Sequence, residues 1–588
     1  DGTAPEEAAG AFVDPEKGVE TAEDALQGAS DIIAERISDD ADIRKRLREL
    51  VWKKGYLVSA AAAKEPEDTV YRLYYAFRSP LNRVQGHQVL AINRGEREGV
   101  LKVSVEMERE AALIPVRRAV LNPGAPAMAF VRAAAEDAYD RLIFPSVERE
   151  MRGLLTEQAD EGAIKMFGLN LKPLLMQPPV KGFVTMGLDP GYRNGCKVAV
   201  VDATGKVLDT AVVYPTFSQR KKEEAIDALA KLIRRHGVAH IAIGNGTASR
   251  ETEQMAVELI QRLGGGVSYM IVNEAGASVY SASKLAAEEF PDYDVNLRSA
   301  VSIARRLQDP LAELVKIDPK SIGVGQYQHD MPQARLDETL SGVVEDCVNA
   351  VGVDLNTASA PLLSYVAGLN NTTARNIVKY REENGAFTTR KGVLKVPKLG
   401  PKAFEQCAGF LRVPESRNVL DHTGVHPESY GAAEALLALC GYSLDDVKAG
   451  GLDGLRERVA AYGEEKAAEV CGVGVPTLRD IVGELVKPGR DPRDELPRPI
   501  LRTDVLEMKD LKPGMELTGT VRNVIDFGVF VDIGVHQDGL VHISQLREGR
   551  RVQHPSEVCA VGDIVTVWVL EVDEKKKRIS LTMKKPKG

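Results

Sequence analysis

The chain of 588 residues carries a formal net charge of −9, with 44% hydrophobic and 27% charged residues. Because this length exceeds what one hydrophobic core usually holds, we expect roughly three to five domains. The composition is ordinary for a globular protein, and no run of about 18 apolar residues occurs, which excludes a membrane-spanning helix.

The cysteines are scattered through the sequence and form no CxxC pair and no cysteine–histidine spacing that fits zinc. They are Cys196, Cys347, Cys407, Cys440, Cys471 and Cys559. We therefore expect reduced thiols in a cytoplasmic protein. The sequence opens on Asp1 in a stretch that is typical of an interior linker, so we also expect that an N-terminal portion is missing.

Residues 1–181 are predicted to form a helical scaffold. Segments 43–54 and 69–77 have amphipathic helical periodicity. A strand is expected over residues 100–105. No residue pattern in this part predicts chemistry.

Residues 182–308 have an α/β pattern. Strands are predicted at 183–188, 198–201, 207–214, 240–243 and 268–272, with helices at 223–236 and 252–263. Three antiparallel strands followed by βαβ units is the ribonuclease-H-like order. The string Gly187-Leu188-Asp189-Pro190-Gly191, with Ile243-Gly244-Asn245-Gly246 and Val272-Asn273-Glu274 after it, resembles the YqgF branch of that fold, which is related to Holliday-junction resolvases.

Nuclease chemistry in that fold needs several carboxylates at strand ends to hold Mg²⁺. Asp189 fits the first carboxylate, and Glu274 fits a second. At the next expected positions the sequence has Asn245 and Arg298, and a cation there would oppose a metal. Two interpretations stay open, a non-cleaving domain and an active nuclease, and Asp189 is also compatible with a plain turn before Pro190.

Residues 309–351 are predicted to be a connector that leads into a helix over 336–351. Residues 352–413 then hold nine Lys or Arg and only four Asp or Glu. A helix over 361–367, a turn over 368–371 and a helix from Thr372, as its cap, to residue 381 form one hairpin. A second unit follows, with a turn at Leu399-Gly400-Pro401-Lys402 and a helix over 403–409.

The region 352–416 resembles a tandem helix-hairpin-helix domain. Glycine in each turn lets the backbone approach a phosphate, and such contacts do not depend on sequence. The predicted contact residues are Gly368, Arg375, Lys379, Gly400 and Lys402. Plain packing hairpins with solvated charges are the alternative.

Residues 417–486 are predicted to be a small helical domain and residues 487–511 a linker. Residues 512–588 follow with five short strands, a number that suits a closed barrel. In the run Phe527-Gly528-Val529-Phe530-Val531-Asp532-Ile533, alternation places Val529, Val531 and Ile533 inside and Phe530 outside. We expect Phe527 to join Phe530 through a bulge at Gly528.

An outward aromatic side chain suits stacking with unpaired bases. The strings Phe527 to Val531, Gly539-Leu540-Val541-His542-Ile543-Ser544 and Arg578-Ile579-Ser580-Leu581 resemble the S1 domain, an OB-fold RNA-binding module. The resemblance implies a binding face that is made of Phe527, Phe530, His542 and Arg578, with Lys575, Lys576 and Lys577 close to phosphates. The alternative is that both Phe side chains are core and His542 is a satisfied turn residue.

The order of these parts resembles the bacterial Tex family of transcription accessory factors over essentially the whole chain. Three further strings carry this resemblance, Val13-Asp14-Pro15-Glu16-Lys17-Gly18-Val19, Leu90-Ala91-Ile92-Asn93-Arg94-Gly95-Glu96 and Ala304-Arg305-Arg306-Leu307-Gln308-Asp309-Pro310. Family members begin with a helix-turn-helix-type region that this sequence does not contain. The expected fold class is therefore multidomain and mainly α-helical, with an α/β ribonuclease-H-like domain and a C-terminal OB-fold barrel.

We expect a cytoplasmic, sequence-tolerant nucleic-acid-binding scaffold that supports transcription. Its expected ligands are RNA and single-stranded or double-stranded DNA, and the resemblance implies RNA polymerase as a protein partner. No cofactor is expected, and Mg²⁺ is expected only if the YqgF-like domain is an active nuclease. The alternatives are that nuclease and a protein-interaction hub; ATPase, protease and esterase functions have no motif.

Overall fold

The computed structural model describes residues 3–64, 67–450, 452, 454–503, 508–535, 537–549, 552–573 and 576–585. The chain forms two compact units. The first consists of Asp1–Met166 and Gly325–Leu336, and the second of Phe167–Val324 and Asp337–Gly588. None of the described helices is long and apolar enough to cross a membrane.

The first unit packs helices around a small antiparallel sheet of order β2-β1-β3. Its strands are β1 (Tyr56–Ala61), β2 (Ala76–Pro80) and β3 (Leu101–Glu106). The helices in this part of the chain are α1 (Pro5–Ala9), α2 (Ala22–Asp39), α3 (Ala41–Lys54), α4 (Gly86–Arg97), α5 (Arg109–Val120), α6 (Met128–Asp137) and α7 (Phe144–Leu175), the last of which leads into the second unit. The prediction of a helix over 69–77 is wrong, because that segment holds a 3₁₀ turn (Arg72–Tyr74) followed by the start of β2.

The segment Gly325–Leu336 is more than a connector, because it packs within the first unit. Asp330 accepts hydrogen bonds from Arg94 and Arg97 of α4, and the Arg94 guanidinium lies 4.8 Å from the centre of the Tyr327 ring. Although burial favours its neutral form, these two arginines hold the pKa of Asp330 below its ordinary value. Ion pairs between distant segments fix this segment, and sequence periodicity does not detect them.

The α/β part of the second unit has a five-stranded sheet of order β6-β5-β4-β7-β8. Strands β4, β5 and β6 are antiparallel, whereas β7 and β8 run parallel to β4. This arrangement confirms the ribonuclease-H-like order. The strands are β4 (Thr185–Asp189), β5 (Cys196–Val201), β6 (Val207–Val213), β7 (His240–Gly244) and β8 (Ser268–Val272).

Helices cover both faces of this sheet and continue beyond it. They are α8 (Gln219–His236), α9 (Ser249–Leu263), α10 (Ala277–Ser281), α11 (Lys284–Glu289), α12 (Val295–Gln308), α13 (Pro310–Leu314) and α14 (Gln333–Val351). Helix α12 packs most closely on the central strand. A Cβ at Gly187 of β4 would collide with the backbone of Ala300 and Ala304, so only glycine allows the approach.

Two helical parts follow α14. The first contains β9 (Val353–Asp354), α15 (Ala360–Ser364), α16 (Asn371–Asn384), α17 (Pro401–Cys407) and β10 (Leu411–Arg412), with β9 and β10 paired in parallel. The second contains α18 (Tyr430–Leu439), α19 (Leu444–Ala449), α20 (Leu455–Tyr462), α21 (Glu464–Cys471) and α22 (Val475–Val486), packed around one apolar cluster.

Arg390 joins these two helical parts. Its side chain is fully buried, and its guanidinium donates to the carbonyl oxygens of Leu420, Asp421, Thr423 and Val425. Burial lowers the pKa of Arg390, while Tyr430 and Asp421 oppose that shift. One side chain therefore satisfies the carbonyl groups of a whole turn.

The segment that was predicted as a linker is packed against the α/β part. Its 3₁₀ helix Pro492–Glu495 carries Arg493, which is 1% exposed and donates to Asp491 and Asp309 with N···O distances of 2.7 and 2.8 Å. Local composition predicts a linker over 487–511, whereas in the described residues 487–503 the side chain of Arg493 is buried and paired with two acids.

The C-terminal part is a closed barrel of order β11-β12-β13-β15-β14. Its strands are β11 (Glu516–Ile525), β12 (Gly528–Asp532), β13 (Gly539–His542), β14 (Ile564–Asp573) and β15 (Arg578–Thr582). The five predicted strands are confirmed.

All six cysteines of the chain are free and buried.

The buried guanidinium of Arg390 gives a testable prediction. Replacement by Met leaves several buried carbonyl oxygens without a donor, and each such group costs about 1 to 3 kcal/mol. We expect Arg390→Met to lower the free energy of unfolding of the two helical parts by about 3 kcal/mol or more. Urea titration with hydrogen exchange at residues 420–425 measures this.

Lys391→Met is the matched control, because Lys391 is exposed and next to Arg390 in sequence. If the two variants unfold alike, then Arg390 does not hold the turn.

Candidate nucleic-acid interface

The barrel presents a row of outward side chains on β12, β13 and β15. Val529 and Val531 are fully buried, and Phe530 between them is half-buried and faces out. Phe530 pairs with Leu540 across the strands, and Leu540 pairs with Ser580. Phe530 is thus placed as predicted, at the middle of this row.

Phe527 is 51% exposed, but it reaches the surface by a different route from the predicted one. It lies in the turn between β11 and β12, and the bulge of this hairpin lies between Val521 and Asn523 on the opposite strand, where Arg522 is the extra residue. The prediction of a bulge at Gly528 was wrong. Because Phe527 lies in a turn, its ring reaches the surface without any bulge in a strand.

His542 lies at the Phe527 end of the row. It pairs with Gly528 across the strands, and the Ile543 amide donates to the Phe527 carbonyl oxygen at 2.9 Å. The Ser544 amide donates to His542 Nδ1. The side chain therefore caps a turn, as the alternative interpretation proposed, while remaining exposed.

Arg578 lies at the opposite end of the row, because β13 and β15 are parallel with Leu540 beside Ser580. From this register, Arg578 and His542 are separated by four residues along the strands, or about 13 Å. Lys576 and Lys577 lie in the turn before Arg578, and Lys576 makes an exposed 3.7 Å ion pair with Asp573. Lys575 is outside the described residues. Aromatic groups and cations thus share one outer track of the barrel.

An open groove of about 870 Å³ continues from the His542 end. Its lining includes Ser544, Arg547 and Lys584, and sequence reasoning missed these two cations. Arg547 could have been predicted as a groove residue, because it follows the Gly539 to Ser544 string closely and lies on a loop after a strand end. The groove extends the basic track past the aromatic residues.

The first helical hairpin differs from the prediction at its cap. Asn370, not Thr372, caps α16, and its side chain accepts from the amides of Thr372 and Thr373 at 2.9 and 3.0 Å. The amides at the start of α16 are therefore already occupied. Gly368 has a φ of +80°, and a Cβ there would collide with Gln406 of α17, so this glycine serves packing between the hairpins.

The second hairpin is more open. Gly400 and Pro401 begin α17, no described side chain caps its first amides, and a Cβ at Gly400 would meet open space. Lys402 is exposed there. On α16, Arg375 and Lys379 are exposed too, and Lys379 has a loose 3.7 Å ion pair with Glu383. The predicted cations Arg375, Lys379 and Lys402 therefore all lie on the surface. The two turns differ, because the turn at Gly400 is open and the turn at Gly368 is packed between the hairpins.

The structure brings Asp189 and Glu274 close to each other at the carboxyl ends of β4 and β8. Burial raises the pKa of Asp189, and burial together with the charge of Asp189 raises the pKa of Glu274. The Glu274 carboxylate is cradled by a turn in which a Cβ at Gly244 or Gly246 would overlap it.

Ser299 of α12 contacts Asp189, and its hydroxyl donates to that carboxylate. Arg298 does not face the carboxylates, as it donates to the carbonyl oxygens of Ser281 and Phe290. Lys197 pairs with Asp189 across the strands and attracts its carboxylate. Asn245 Oδ1 accepts from the Glu274 amide at 3.0 Å.

These residues do not fit a Mg²⁺ site. Mg²⁺ demands oxygen ligands in near-octahedral geometry, whereas here a buried ammonium and a hydroxyl donor already face Asp189. Over the part of the chain that the structure describes, no three His, Cys, Asp or Glu side chains converge to hold a metal. We therefore derive no chemical step through a metal.

Five protein-family models match parts of the chain. The Tex central region-like model matches residues 1–167, the Tex protein YqgF-like domain 183–308, the helix-hairpin-helix motif 348–412 and the S1 RNA binding domain 510–584. A further HHH domain matches residues 418–493. Sequence reasoning assigned that last region no binding role, although its glycine turns between short helices are the pattern it used for residues 352–416.

Relatives match nearly the whole chain. The uncharacterized protein YdcI of Bacillus subtilis is 52% identical over 98% of this chain and 80% of its own length. The transcriptional accessory protein Tex of Neisseria gonorrhoeae is 49% identical over 95% of this chain and 74% of its own length. The human S1 RNA-binding domain-containing protein 1 is 37% identical over 96% of this chain and 64% of its own length. By these matches over nearly its full length, the chain belongs to the Tex protein family.

Proposed function

We propose that this chain is a sequence-tolerant nucleic-acid-binding scaffold that supports transcription, with single-stranded RNA as the main ligand of its S1 barrel. The observation that carries the proposal is the outward row on the barrel. Phe527 and Phe530 offer ring faces, and Arg578, Lys576 and Lys577 supply positive charge at one end. Stacking is available to every base, so the contact does not depend on sequence.

The helical hairpins are the second contact in this proposal. Arg375, Lys379 and Lys402 are exposed on a segment with a large excess of positive charge, although the whole chain has a net charge of −9. Surface cations of this kind bind phosphates and release counterions, so their contribution weakens as salt rises. We propose that this part holds the strand or duplex backbone and that RNA polymerase is a partner of the assembled complex.

The proposal assigns no reaction to the YqgF-like domain and no cofactor to the chain. The carboxylate pair, the Ser299 donor and the Lys197 ammonium support a non-cleaving role. Asp189 is more than a plain turn residue, because it is half-buried and accepts a hydrogen bond from Ser299 of α12.

The aromatic row gives the first test. We expect Phe530→Ala and Phe527→Ala each to weaken binding of a labelled single-stranded RNA to the whole chain by about 5-fold to 150-fold, because one base stack contributes about 1 to 3 kcal/mol. Fluorescence anisotropy measures this. Phe217→Ala is the matched control, since Phe217 is 58% exposed in the α/β part.

A thermal melt of each variant separates loss of the stack from loss of the fold, since Phe530 is half-buried. If folded Phe530→Ala and Phe527→Ala bind like the parent chain, the barrel row is not the binding face.

The hairpins give a second prediction. Each phosphate contact contributes roughly −0.9 to the slope of log K against log salt on duplex DNA. We expect Arg375→Gln and Lys402→Gln each to reduce that slope by about 0.9 while affinity falls alike on unrelated sequences. A salt series on two duplexes measures both effects.

Lys231→Gln, an exposed position on α8, is the control for a simple change of net charge. An unchanged slope in the two hairpin variants would show that the hairpins serve packing and do not contact phosphate.

The half-buried carboxylate pair, Asp189 and Glu274, gives a third prediction, which concerns stability. A folded-state pKa above the unfolded value means that the ionised carboxylate destabilises the fold once pH exceeds the unfolded pKa of about 3.9. We therefore expect Asp189→Asn to raise the melting temperature at pH 7, with a gain that shrinks as pH falls toward 4. Asp292→Asn, at an exposed position, controls for net charge.

The same Asp189→Asn variant tests the nuclease alternative. We expect RNA and branched DNA to stay intact with either protein in the presence of Mg²⁺. Cleavage by the parent chain that is lost in Asp189→Asn would overturn the non-cleaving assignment.

A further inference from the structure

A recessed polar cavity lies in the second unit, where β8, α12, the segment before the barrel and strand β11 meet. Its volume is about 70 Å³, and its polar lining includes Asn273, Arg306, Arg502, Thr520, Arg522 and Asp532. One buried water needs roughly 10 to 15 Å³ by this kind of measure. The cavity therefore has room for several waters or for one small tetrahedral anion.

Arg306 of α12 is the unusual member of this lining. It is 3% exposed, and its Nη1 donates to the carbonyl oxygens of Asn273 and Ala275 at 2.7 and 2.8 Å. Its Nε and Nη2 have no hydrogen-bond partner among the described residues. An unpaired buried donor costs about 1 to 3 kcal/mol, and more when the group is charged, so two of them on one guanidinium call for a partner.

The neighbouring acids do not supply that partner. Glu313 and Glu274 attract Arg306, but neither accepts a hydrogen bond from its free edge, and Glu313 pairs with Lys316 at 3.0 Å. Burial lowers the pKa of Arg306 to about 10, with these two acids opposing the shift. The guanidinium is therefore still charged at neutral pH.

The other two arginines of the lining share a single carboxylate. Arg502 and Arg522 donate to the two oxygens of Asp532 at 3.3 and 2.6 Å. Although burial favours its neutral form, Arg522 and Arg502 hold the pKa of Asp532 below its ordinary value. Three arginines thus line the cavity with one carboxylate among them, which leaves the lining positive.

We propose that this cavity binds a phosphate-type oxyanion, which Arg306 holds through Nε and Nη2. These two donors lie on one edge of the planar guanidinium, and that edge matches two oxygens of a phosphate side by side. The ligand is inorganic phosphate or the terminal phosphate of a nucleic-acid strand. The site is distinct from the outward row, because Arg306 lies on α12 and the cavity shares only Asp532, at the end of β12, with the strands of that row.

The test is phosphate binding by the whole chain, measured by isothermal titration and by melting temperature against sodium chloride of equal ionic strength. A ligand that binds the folded state raises the melting temperature in a saturable way. Arg306→Lys keeps the charge but loses the two-donor edge, so we expect its dissociation constant for phosphate to rise about tenfold or more.

Arg298→Lys is the matched control. Arg298 lies on the same helix and also donates to two carbonyl oxygens, but it does not line the cavity. Thr520→Leu is the second test variant, because it fills space in the cavity and leaves the carbonyl contacts of Arg306 in place. We expect Arg298→Lys to bind phosphate like the parent chain and Thr520→Leu to bind it weakly.

A dinucleotide with and without a 5′-phosphate distinguishes the two sources of the ligand. If the phosphorylated form competes with phosphate and the other form does not, a strand terminus is the ligand, whereas competition by neither form assigns free phosphate. The proposal is overturned if phosphate acts no differently from chloride, or if Arg306→Lys and Thr520→Leu both bind phosphate like the parent chain.

Discussion

Buried guanidinium groups connect the parts of the second unit, and its architecture depends on them. Burying a charge costs much less when its hydrogen bonds are made, so each such arginine favours keeping its partners in place. Arg390 fixes the turn that begins the small helical part, and Arg493 binds the segment before the barrel to Asp309 at the end of α12. Small movements of these parts would leave a charge unpaired, which makes the junctions stiff.

The barrel is joined to the α/β part in the same way, through an arginine. The backbone of Arg502 exchanges two hydrogen bonds of 2.8 Å with Tyr269 at the edge of the α/β sheet, while its side chain pairs with Asp532 of β12. One residue thus joins a sheet edge to the barrel. The sheet edge at β8 is thereby covered against other strands at Tyr269.

Local sequence patterns predicted those structural features that depend on residues near each other in the chain. The alternation in β12, the order of strands in the α/β part and the position of Asp189 at a strand end were all accessible from the sequence. Contacts between distant segments were not, because nothing near Arg493 signals Asp309 and nothing near Arg306 signals a cavity beside Thr520. Two local details were missed because another choice satisfied the same local rules. Thr372 was predicted as the cap instead of Asn370, and a bulge at Gly528 was predicted instead of a turn position for Phe527.

Helix α12 shows why a ribonuclease-H-like sheet is useful without metal chemistry. Its close packing on Gly187 places Ser299 against Asp189 near one end and Arg306 against the Asn273 turn near the other. The carboxylate pair is kept in spite of the cost of its burial, and a hydroxyl and an ammonium offset part of that cost for Asp189. The sheet therefore acts as a rigid frame. It positions α12, and α12 in turn presents the guanidinium of Arg306 to the cavity beside the barrel.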